Sequence, residues 1–125
     1  MTRRALPGPD LPMWHYTCHH GNRALFAQMR EAGFAQLRPG SDGVVWCTDL
    51  GDPVRDGLGL TMNYTTCDRT EYRWRIAERD IGRVVPWTSV RRDIDPVRVE
   101  AIESSPGALP MHWFVSFMPV LAFPA

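Results

Sequence analysis

The sequence predicts a small α+β domain with one main helix packed on a mixed or antiparallel sheet. Three observations carry that expectation. At 125 residues the chain can bury one core but not two. Its first half runs strand, helix, strand, and its second half is dominated by strand-like alternation. Hydrophobic residues make up 44% and charged residues 22%, the balance of a globular chain rather than a disordered one.

Residues 1–12, with Pro7, Pro9 and Pro12, read as an extended lead-in to a single domain over 13–125. Residues 13–17 form a first strand. Met13, His15 and Thr17 share one face, and Trp14 and Tyr16 the other. Asn22 is a natural N-cap for a helix over 23–32. Leu25, Met29 and Ala32 supply its buried stripe, and Gly33 its C-terminal stop. A turn around Pro39 and Gly40 leads to a strand over 44–48. The glycine-rich segment 51–60 is compatible with a loop or a short helix. Over 71–76, Glu71, Arg73 and Arg75 alternate with Tyr72, Trp74 and Ile76. Residues 86–90 read as another short strand. Pro96 suits the first position of a short surface helix ending near Ser104. Residues 112–118 are the most apolar strand and the natural centre of the sheet, and Pro119 and Pro124 limit regular structure in the C-terminal residues.

Composition excludes several functions. All 14 basic residues are arginine, matched by 14 acidic ones for a net charge of zero. Without lysine there is no lysine nucleophile, lysine Schiff base or P-loop lysine. Net neutrality gives no global pull toward nucleic acid or an anionic membrane. No stretch approaches the ~20 apolar residues of a membrane span. Three cysteines, Cys18, Cys47 and Cys67, do not make a disulfide scaffold. A cytoplasmic protein that does not engage membranes is the expectation. Cys18, His19 and His20 lack the paired spacing of a zinc site, so no metal is expected.

His15 is either a satisfied strand histidine or an imidazole that hydrogen-bonds a ligand hydroxyl. The wider pattern is Trp14-His15-Tyr16-Thr17, a helix, Gly33-Phe34, Leu37-Arg38-Pro39 and Gly43-Val44-Val45-Trp46-Cys47-Thr48. It resembles the opening of the ADP-ribosyltransferase superfamily of the histidine–tyrosine–glutamate type. That group includes the poly(ADP-ribose) polymerase catalytic folds and the toxins that modify DNA bases. The resemblance covers residues 13–49 and, more loosely, 70–76.

It implies an ADP-ribosyltransferase-like domain that uses NAD as substrate and a protein or nucleic-acid acceptor. His15 would then hold the adenosine ribose, and the Tyr16 backbone the nicotinamide carboxamide. Trp46 is the nearest aromatic to the family's stacking tyrosine, although a one-residue shift puts Val45 there. Thr17 and Thr48 share strand faces with His15 and Trp46 and are expected to line the same cleft. A carboxylate must stabilise the oxocarbenium formed as nicotinamide leaves. Among Glu31, Glu71, Glu78, Glu100 and Glu103, Glu71 fits best because it opens the alternating strand. Its bland counterpart is a solvated carboxylate beside Arg69 or Arg73.

Arg69, Arg73, Arg75, Arg91 and Arg92 support a rival activity, since guanidinium forks bind phosphates bidentately. An RNA 2′-phosphotransferase shares the fold and uses arginines with histidines. A non-catalytic nucleotide-binding or interaction module is the remaining alternative.

Overall fold

The computed structural model describes residues 12–51, 69–104 and 107–125. Within these residues seven short strands form one antiparallel sheet: β1 (Trp14–Thr17), β2 (Ala35–Leu37), β3 (Val45–Thr48), β4 (Tyr72–Ile76), β5 (Val84–Pro86), β6 (Trp113–Ser116) and β7 (Val120–Pro124). Their spatial order is β2-β7-β4-β1-β3-β6-β5. Among the described residues three α-helices accompany them, α1 (His19–Ala32), α2 (Trp87–Val90) and α3 (Pro96–Glu103), with a 3₁₀ segment over Glu78–Arg83. The expected α+β class therefore holds, and every strand pairing is antiparallel. The extended lead-in over 1–12 lies outside the described residues except for Pro12. The segment over 51–60 lies outside them except for Gly51.

Parity along β1 places Met13 and His15 on the face covered by α1. That face carries the larger core, built from Met13, Leu25, Ala35, Leu37, Val45, Cys47, Trp74, Ile76, Phe114, Val120 and Ala122 among others. Phe26 of α1 meets the Trp74 ring edge-on, with centroids 5.0 Å apart. The opposite face of β3, β5 and β6 holds a second core. There Trp87 and Val99 from the helices close over Trp113 and Val115.

Five expectations need correction. Helix α1 starts at His19, four residues before the expected start. Its N-cap is Cys18, and Asn22 instead accepts a hydrogen bond from Trp74 Nε1 at 2.9 Å inside the helix. At the other end Gly33 does cap it, in the left-handed conformation at φ 86°. Leu25 is buried and Met29 packs on the core, but Ala32 is exposed. The core ends one turn before the helix does.

Residues 86–90 do not form one strand. Pro86 closes β5, and α2 follows, because Trp87 and Val90 at i, i+3 both point into the second core. A short apolar run does not distinguish period two from period three or four. The strand at Trp113–Ser116 is second from the sheet edge rather than central. All four of its residues are buried because both faces of this part of the sheet are covered, and such strands read as unbroken apolar runs. Finally, β2 and β7 are strands that the sequence pattern does not predict. Pro124 is tolerated because it sits at the end of β7, beyond the last pairing with β2, where no donor is needed.

Candidate functional site

β1 is bonded along four residue pairs to β4, and β3 along four pairs to β6. Between them β1 and β3 share one pair, Trp14↔Thr48. Beyond it the two strands part. His15 Nδ1 sits 2.8 Å from the Trp46 carbonyl oxygen, taking up an acceptor that a continued ladder would have used. The sheet is therefore split at its middle, and a cavity of about 670 Å³ opens at the split.

The cavity brings together His15, Tyr16, Thr17, Trp46 and Thr48 from the two parted strands. Trp14, Cys18, Asp42, Cys47 and Trp113 add to these, with Arg69 from the turn before β4. The opposite wall comes from α3, whose Arg98, Ala101 and Ile102 lie at i, i+3 and i+4.

Burial pushes the pKa of His15 below 6.5, with the Trp46 carbonyl pulling weakly the other way. The ring is therefore neutral at pH 7. A neutral imidazole must donate from Nδ1 to that carbonyl, which leaves Nε2 as an acceptor for a ligand hydroxyl. The Trp46 indole is pinned by its Nε1, which donates to Asp42 Oδ2 at 2.8 Å. It also packs against Trp87 and Trp113, with centroids 5.1 and 6.1 Å away. Val45, one residue away, is buried in the core under α1 and is absent from the cavity wall. The Tyr16 hydroxyl lies 2.9 and 2.8 Å from the carbonyl oxygens of Leu50 and Gly51. Thr48 Oγ1 donates to the His112 carbonyl at 2.8 Å. Burial pushes the Cys47 thiol up to about 12, so it stays protonated and is no nucleophile.

Glu71 is placed differently. It is exposed on the bend before β4, outside the cavity wall. Its carboxylate lies 3.9 Å from His19 Nδ1, at the junction of β1 and α1. The arginine group also separates. Arg69 lines the cavity. Arg73 stacks over the Trp14 ring, 4.2 Å from its centroid, and donates to the Gly51 carbonyl. Arg75 lies 6.0 Å from the same ring. Arg91 pairs with Glu103 at 3.4 Å, and Arg92 lies with it beside a second hollow next to α3.

Sequence reasoning missed Arg98 and Asp42 as cavity residues. It placed α3 on the surface, yet Val99 is buried and Glu103 accepts a hydrogen bond from the buried Trp87. The signal for Arg98 was its spacing to Ala101 and Ile102.

Among the described residues, no three His, Cys, Asp or Glu side chains come together as a metal site. No helix among them is long and apolar enough to cross a membrane. A scan against protein-family models and searches of curated proteins and solved structures returned no match for this chain. The fold and site thus define a small α+β domain with a ligand-sized cavity at a split in an antiparallel sheet.

Proposed function

We propose that this domain is ADP-ribosyltransferase-like, binds NAD in the cavity between β1 and β3, and transfers ADP-ribose to a protein or nucleic-acid acceptor. One observation carries the reading: His15, Tyr16, Thr17, Trp46 and Thr48, all expected to contact the dinucleotide, line one cavity. Its ~670 Å³ lies within the range of sites for small molecules and cofactors. His15 Nε2 accepts a ribose hydroxyl, and the indoles offer flat apolar surface to the nicotinamide ring. In the reaction the glycosidic bond to nicotinamide breaks and nicotinamide leaves neutral. The ribose carbon then bonds to the acceptor nucleophile, whose proton is released to water. In this reading the oxocarbenium role falls to Glu71, which stands outside the cavity wall. The protein is assigned to the cytoplasm, where its thiols stay reduced.

A second reading is favoured by a specific observation. Arg69 and Arg98 line the cavity, whereas Glu71 does not. That arrangement suits an RNA 2′-phosphotransferase, in which NAD accepts a phosphate.

Proton NMR of nicotinamide in mixtures of NAD with wild type, His15→Ala and Glu71→Ala tests both readings. Release by wild type that is lost in both variants supports ADP-ribosyl transfer. Activity that requires a 2′-phosphorylated oligonucleotide and survives Glu71→Ala selects phosphotransfer. Binding of NAD without release under either condition leaves a nucleotide-binding module.

A further inference from the structure

We infer that Arg69 and Arg98 form a phosphoryl clamp across the cavity, selecting ligands that carry a phosphate or pyrophosphate. The inference rests on the reading of this cavity as a nucleotide site and names the group that the two arginines hold. They approach from separate elements, Arg69 from the turn before β4 and Arg98 from α3, and both line the cavity. Arg69 Nε is buried without a hydrogen-bond partner. A buried donor left unmade is costly, and the group that satisfies it recovers that cost. The Nε–H and a neighbouring Nη–H form one edge of the guanidinium fork, which matches two oxygens of a phosphate.

Among the described residues, the charges facing these arginines leave them unneutralised. Asp42 is the one carboxylate on the wall among the described residues. Its Oδ2 accepts from Trp46 Nε1 at 2.8 Å and its Oδ1 from Val44 N at 3.3 Å. Among the described residues no carboxylate forms an ion pair with either guanidinium. His15 is neutral and adds no charge. Among the described residues two guanidiniums thus face one carboxylate that is already hydrogen-bonded, and an anion held by both gains from each positive charge.

Full-chain wild type, Arg69→Gln, Arg98→Gln and the double variant are titrated calorimetrically with inorganic pyrophosphate, ADP-ribose and adenosine. A 2′-phosphorylated oligonucleotide and its dephosphorylated form complete the set. Wild type is expected to bind ADP-ribose more tightly than adenosine. Each glutamine variant should weaken the phosphate-bearing probes about tenfold or more, the loss expected for one charge-assisted contact, and leave adenosine unchanged. Arg69→Lys keeps the charge without the fork and should fall between wild type and Arg69→Gln, so the clamp remains testable if the glutamine variant melts early. Arginine-dependent preference for ADP-ribose places the phosphoryl group in a dinucleotide. Preference for the phosphorylated oligonucleotide places it on an RNA end. Phosphate-bearing probes bound equally by wild type and variants, or no tighter than adenosine, overturn the clamp. Arginine-dependent pyrophosphate binding without nicotinamide release sinks the transferase reading alone. Release with unchanged NAD affinity in both glutamine variants sinks the clamp alone.

Discussion

His15 links stability to pH. Its folded pKa lies below the 6.5 of the free side chain because burial disfavours the imidazolium. Below pH 6.5 the unfolded chain therefore takes up a proton that the folded chain resists. The stability contribution is fully present above 6.5 and is lost as pH falls toward the lower folded value. His15→Gln is expected to flatten melting temperature against pH below about 6.5, and the difference between the two thermal-melt profiles isolates this residue. Gly21 gives a second prediction. A helical Gly→Ala change ordinarily stabilises by about 1 kcal/mol. Here the new Cβ would collide with Thr17 Oγ1, on a side chain of β1. Gly21→Ala should therefore destabilise by roughly 1–3 kcal/mol in urea titration, with partial rescue by Thr17→Ala, which removes that oxygen. The position of His15 was legible from strand parity. The demand for Gly21 was not, because it comes from the approach of α1 to β1.

At the scale of elements, one side chain ties β7 to the 3₁₀ segment. Asp80 is buried, and its Oδ2 accepts from Leu121 N at 2.8 Å. Its Oδ1 faces Arg79 and Arg83 at 3.5 and 3.7 Å. Asp80→Ala strands the Leu121 amide and should cost about 1–3 kcal/mol in urea titration. Asp80→Asn keeps an acceptor for that amide and should cost less. The 3₁₀ segment thus holds a strand 41 positions later in sequence, a relation that local patterning does not contain. The limits of α3 were legible in its cap: Asp95 accepts from Val97 N and Pro96 opens the first turn. Its burial was not legible, since helix and surface residues alternate the same way until Trp87 and Trp113 supply something to cover.

The whole sheet is joined at its middle by Trp14↔Thr48. The larger core nevertheless crosses the split, taking Val45, Cys47, Val84 and Phe114 from one half and Trp74, Ile76, Val120 and Ala122 from the other. Shared burial outweighs the missing backbone pairs, so unfolding should be a single transition. Tryptophan fluorescence and far-ultraviolet circular dichroism should give coincident urea curves. Two separated transitions would mean that the halves fold independently.

Local sequence was enough to specify the α+β class, the face parity of β1 and β4, both ends of α3 and the Gly33 stop, and it singled out five residues of β1 and β3 that line the cavity. These features are set by caps, glycine conformation and period-two or period-3.6 burial. Packing across the molecule decided the strand order, the split after Trp14↔Thr48, the separation of Glu71 from the cavity and the arrival of Arg98 opposite Arg69. Each depends on which surfaces meet across long loops. Burial of apolar area drives those encounters but is non-directional, so no short stretch of sequence encodes its partner.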